Sequence, residues 1–93
     1  MILSFACKET ERIWSGQVSR KLPRDIQERA FRKLRQLEAA RTLEELRVPP
    51  SNHLEMLRGD RKEQMSIRIN GQWRVCFEWH GTDASHVEIV DYH

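Results

Sequence analysis

On either side of Asn70-Gly71 the chain alternates apolar and polar residues, with Ile67 and Ile69 before the pair and Trp73, Val75 and Phe77 after it. A period of two around Asn-Gly predicts a β-hairpin. A strict two-residue turn would set Ile67 opposite Arg74 and mix the two faces. The alternation therefore predicts a three-residue loop or a bulge over 70–72, with Ile69 facing Trp73 and Ile67 facing Val75. That register places Arg68 directly across from Arg74.

Two arginines opposed across a ladder repel by a few tenths of a kcal/mol up to about 1. One reading puts an anion between them, since a planar guanidinium matches a phosphate. The other leaves both on a solvated face, sharing Glu78 or Glu88. Geometry alone keeps both open.

The rest of the pattern supplies partners for the hairpin. Leu3 and Phe5 alternate in a short apolar start, predicting a first strand over Ile2–Phe5. Lys8 to Ser15 has helical composition with Gly16 where a left-handed cap belongs, so a short helix is expected with Ile13 or Trp14 turned inward. Pro23 suits the first turn of a second helix, in which Ile26, Ala30, Leu34 and Leu37 form one apolar stripe widened by Phe31, ending near Ala40. Glu28 and Arg32 lie at i,i+4 on its outer side. Thr42 and Glu45 have capping-box spacing. Pro49-Pro50 ends that turn, Leu54 to Leu57 resumes as a strand, and His86 to His93 forms the last. The order β-α-α-β-β-β predicts an α+β fold, an antiparallel sheet with helices packed on one face. Arg68 and Arg74 are expected on the open face.

At 93 residues, 39% apolar and 32% charged, the chain suits a single domain over 1–93 with one modest core. The net charge is only +2. Its distribution matters more, because Arg20, Lys21, Arg24, Arg29, Arg32, Lys33 and Arg35 cluster against only Asp25 and Glu28. That patch fits a phosphate backbone or a solvated helix face. Cys7 and Cys76 lack CxxC spacing, which predicts reduced thiols and a cytoplasmic location. No apolar run or leader pattern suggests a membrane span or signal peptide. His53, His80, His86 and His93 show no metal-ligand spacing, and there is no phosphate loop or nucleophile elbow, so neither metal nor cofactor is expected. What remains is arginines, a glutamate, a tyrosine and a histidine. RNA carries its own nucleophile, the 2′-OH, so such groups suffice for a metal-independent ribonuclease.

Three stretches in order, Leu54-Glu55-x-Leu57-Arg58-Gly59-Asp60-Arg61, Ser66-Ile67-Arg68-Ile69-Asn70-x-Gln72-Trp73-Arg74-Val75-x-Phe77 and Glu88-Ile89-Val90-Asp91-Tyr92-His93, resemble the HigB branch of the RelE superfamily of toxins. The resemblance spans essentially the whole chain. It implies a toxin of a type II toxin–antitoxin pair that enters the ribosomal A site and cleaves mRNA during translation. It also implies a HigA-type helix-turn-helix antitoxin, with operator DNA bound only through the toxin–antitoxin complex. Matched position by position, Arg74 takes the place of the family's phosphate-binding arginine, Arg58 that of the basic residue before Gly-Asp, and Tyr92 and His93 that of the tail that positions the base and manages protons. Glu55 stands where some members have histidine, so the general base is Glu55 or His93. Arg68 falls where many relatives place a lysine or another polar residue, and with Arg24, Arg32 and Lys33 it is a candidate RNA contact. Two alternatives stand beside this reading. ParE-type relatives of the same fold inhibit a protein such as gyrase without chemistry, and a plain nucleic-acid-binding module would bind without cutting.

Overall fold

The computed structural model describes residues 1–57, 59 and 63–91. Helix α1 spans Lys8–Trp14 and α2 spans Arg24–Ala39. Two short 3-10 helices follow, Leu43–Arg47 and Pro50–Asn52. Strands β1 (Glu55–Met56), β2 (Met65–Arg68), β3 (Trp73–His80) and β4 (Asp83–Asp91) form one antiparallel sheet in the order β1-β2-β3-β4.

The hairpin has the register that parity requires, with Ile67 opposite Val75 and Arg68 opposite Arg74. Asn70 builds the loop: its side-chain oxygen accepts from the backbone N–H of Gln72 and of Trp73, both at 2.8 Å. This Asx arrangement lets three residues connect the strands without mixing faces. Ile67, Ile69, Val75, Phe77, Val87 and Ile89 are buried and meet Ile26, Ala30, Leu34 and Leu37 of α2. Burial of this layer stabilises the fold by about 25 cal/mol per Å² of apolar surface removed from water.

The N-terminal segment differs from expectation. Rather than a strand, Ile2 and Phe5 make isolated parallel bridges to Ala84 and Val87 of β4. The Ile2 N–H leaves the ladder and donates to Glu38 of α2 at 2.8 Å. Pro23 sits at the N-cap of α2, one position before its first turn. Gly16 follows α1 at φ 85°, a left-handed conformation suited to glycine. The Thr42–Glu45 capping box forms as expected. In β4 the pairing steps from Glu88 opposite Cys76 to Ser85 opposite Glu78, so His86 and Val87 face Phe77 alone; His86 takes the strain at φ 53°.

Candidate functional site

Arg74 and Ser66 share the sheet face opposite α2, because β2 and β3 alternate in step. Arg74 is only 9% exposed, which excludes a freely solvated role. Its Nε donates to the fully buried Ser66 hydroxyl at 2.8 Å, Nη2 donates to the His53 carbonyl, and Nη1 lies 3.4 Å from Glu55 Oε1. The carboxylate seen beside Arg74 is therefore Glu55 of β1, where the sequence pointed to Glu78 or Glu88. Buried charge held by several acceptors is fixed in orientation before any ligand arrives.

The His53 carbonyl is itself positioned by its neighbours. His53 adopts φ 44° just after the second 3-10 helix, which turns the chain into β1. Asn52, fully buried, anchors that corner: its amide nitrogen reaches Gln36 Oε1 at 3.0 Å and the carbonyls of Leu46 at 3.1 Å and Val48 at 3.3 Å. Its oxygen accepts from Lys33 Nζ at 2.6 Å.

Arg68 and Arg74 are partners across the ladder but reach in opposite directions. Arg74 turns back toward Ser66 and β1, while Arg68 Nη2 lies 3.5 Å from where a Cβ at Gly71 would stand. Divergence relieves the repulsion, so the pair does not require an anion between the two guanidinium groups. Arg68 instead lines a cleft of about 550 Å³ between α2 and the hairpin loop, together with Arg29, Arg32, Lys33 and Gln36. Lys33 has its pKa held below the ordinary 10.5, first by burial and then by the Arg29 charge. Arg32 also pairs with Glu28 at 2.5 Å, as the i,i+4 spacing predicts.

The structure thus joins Glu55 to Arg74, and Arg32 and Lys33 to Arg68. Arg24, at the start of α2, does not line this cleft. Arg58, Tyr92 and His93 lie outside the described residues. Among the described residues no group of three or more His, Cys, Asp or Glu is placed to hold a metal ion, and no helix is long and apolar enough to cross a membrane. Sequence reasoning placed Arg29 only within the broad basic patch, and missed Ser66, Asn52, Gln36 and the His53 carbonyl. Ser66 carried a signal, its shared parity with Arg74; Asn52, Gln36 and the His53 carbonyl depend on how the two 3-10 helices after α2 return the chain to the sheet, which no local spacing encodes.

The chain matches the family of HigB-like toxins, described as RelE-like toxins of the type II toxin–antitoxin system HigB, over residues 3–93. It is 40% identical over 80 residues to Toxin HigB-1 of Vibrio cholerae, a match covering 85% of this chain and 84% of that protein. It is also 31% identical over 74 residues to an uncharacterized protein of Haemophilus influenzae, covering 80% of this chain and 73% of that one.

Proposed function

This chain belongs to the HigB-like family of RelE-like toxins of type II toxin–antitoxin systems, and from that premise we propose that it is a ribosome-dependent, metal-independent endoribonuclease that cuts translated mRNA in the A site. Membership implies an antitoxin partner; our reading makes that partner a HigA-type helix-turn-helix protein and places the toxin in the cytoplasm. The observation that carries the reading is the buried Arg74 guanidinium, fixed by Ser66, His53 and Glu55 on the sheet face.

In this mechanism the 2′-OH of the RNA attacks the adjacent phosphorus and gives up its proton to a base. The bond from phosphorus to the 5′-oxygen breaks, and that oxygen takes a proton, leaving a 2′,3′-cyclic phosphate and a 5′-OH. Arg74 stabilises the negative charge that grows on the phosphoryl oxygens, a contribution of about 3 kcal/mol for a well-placed donor. Arg58 adds to that stabilisation. Glu55 and His93 share proton transfer, with Tyr92 positioning the base. Glu55 lies at Arg74 with 47% of its side chain exposed, so its carboxylate is open to substrate. Arg24, Arg32, Lys33 and Arg68 are proposed to contact RNA.

The test is a reconstituted translation reaction with a defined mRNA. Products ending in 5′-OH that need ribosomes, persist in a metal chelator and vanish with Arg74→Ala support the proposal. Inhibition of growth that survives Arg74→Ala would move the search to a protein target.

A further inference from the structure

The cleft between α2 and the hairpin loop combines four cations with an unusual boundary. Arg29, Arg32, Lys33 and Arg68 line it, Gln36 and Asn70 add polar groups, and among the described residues no carboxylate lines it. Glu28, the acidic partner of Arg32, lies outside its lining. Arg29 spends one N–H on the Ile69 carbonyl at 3.4 Å, which fixes it against the hairpin. Lys33 is tethered by Asn52 and is partly desolvated beside Arg29. Holding like charges together at such a site costs free energy that an anion would return. The dimensions suit a chain of phosphates, since a cleft of about 550 Å³ exceeds the needs of one carboxylate.

One residue connects this cleft to the candidate site. Arg68 lines the cleft and is also the cross-strand partner of Arg74, and such partners lie about 4.5–5.5 Å apart at Cα. The side chains diverge, but the segment after the first 3-10 helix joins the two places, since Ser51 lines the cleft and His53 gives its carbonyl to Arg74. A basic groove beside a fixed guanidinium describes the path of one strand, as in grooves that track single-stranded nucleic acid. We infer that this cleft is a second phosphate subsite, which holds the backbone of the same RNA strand next to the phosphodiester at Arg74, with Arg29 and Gln36 as contacts beside Arg32, Lys33 and Arg68.

The inference rests on the endoribonuclease reading, but its test does not need cleavage. The probe is a fluorescent 2′-O-methyl oligoribonucleotide, which lacks the nucleophile, titrated with the full chain by anisotropy over a range of salt. Arg29→Gln with Lys33→Gln removes two cations. Each phosphate contact to a single strand contributes about 0.7 to the slope of log K against log salt, so the slope should fall by about 1.4, and binding should weaken about 25-fold at about 0.1 M salt. The charge-keeping pair Arg29→Lys with Lys33→Arg should retain the slope. Should the first pair unfold by circular dichroism, Arg32→Gln with Arg68→Gln carries the same test, since Arg32 is 66% exposed. An unchanged slope in the folded neutral variant overturns the subsite. So does intact RNA binding with weakened antitoxin binding, which would assign the cleft to an acidic peptide. Failure of the nuclease reading shows separately, as wild-type protein that binds the probe through the cleft but leaves translated mRNA uncut.

Discussion

Asn52→Ala removes the side chain that fixes the corner leading into β1, and its cost can be worked from the contacts. The amide nitrogen serves three acceptors, Gln36 Oε1 and the carbonyls of Leu46 and Val48, and the oxygen receives Lys33 Nζ. A neutral hydrogen bond is worth about 1 kcal/mol net and one to a charged group about 1.5–3. Two hydrogens serve the three acceptors, so the neutral set contributes about 2 kcal/mol and the whole about 3–5. For a domain whose total stability is about 5–15 kcal/mol this is a large fraction. At about 4–8 °C per kcal/mol, the melting temperature should fall by about 12–40 °C. Thermal and urea melts followed by tryptophan fluorescence read it directly, because Trp14, Trp73 and Trp79 all pack against the core. Asn52→Asp keeps the acceptor for Lys33 but sets a carboxylate oxygen against the three acceptors the amide served, and should cost at least as much. A loss below about 1 kcal/mol for Asn52→Ala would refute the reasoning, since water would then replace every bond of a fully buried amide.

Thr42→Ala removes the half of the capping box in which the Thr42 hydroxyl accepts from the Glu45 N–H, and should cost about 1 kcal/mol in a urea melt. Cys7→Ser replaces a thiol cap that accepts from Thr10 N at 3.4 Å with a hydroxyl, a stronger acceptor, and should raise stability by about 0.5–1 kcal/mol in the same assay. Acid should weaken the fold through Glu9 and Glu45. Ser19's hydroxyl holds Glu9 below its ordinary 4.5, and the backbone N–H groups of Arg41 and Thr42 do the same for Glu45. The folded protein therefore binds fewer protons than the unfolded chain near that value. Their stabilisation is present above pH 4.5 and lost as pH falls through the lower folded values. Glu9→Gln and Glu45→Gln should flatten the acid limb of a stability profile, and an unchanged limb would contradict the assignment. Arg74→Lys keeps the charge but not the planar fork that serves Ser66 and His53 together, and should lower kcat about 10²-fold or more in the translation assay.

Much of the fold was legible because the patterns involved are local. Parity around Asn70-Gly71 determined the hairpin register, the stripe of α2 determined which sheet face it covers, and Thr42 with Glu45 marked the next turn. The N-terminal segment was harder, since Leu3 and Phe5 alternate like a strand while the segment's actual bonds are divided between β4 and Glu38. At the candidate site, sequence placed Arg74 and Arg68 on one ladder but could not show that one is buried and the other folds over the hairpin loop. That difference arises from Ser66, the His53 carbonyl and Glu55, which converge on Arg74 from three separate segments. Arg29 read as one of seven basic residues in a patch and Gln36 as an ordinary polar position of an amphipathic helix. Only the approach of the hairpin loop gives them a shared cleft.

The most direct test of the central claim is mapping of transcript 5′ ends after brief induction in cells, comparing the wild type with Arg74→Ala and with a variant lacking Tyr92-His93. The account predicts new ends confined to translated regions for the wild type and their loss in both variants. Growth arrest by the wild type without new ends would contradict it.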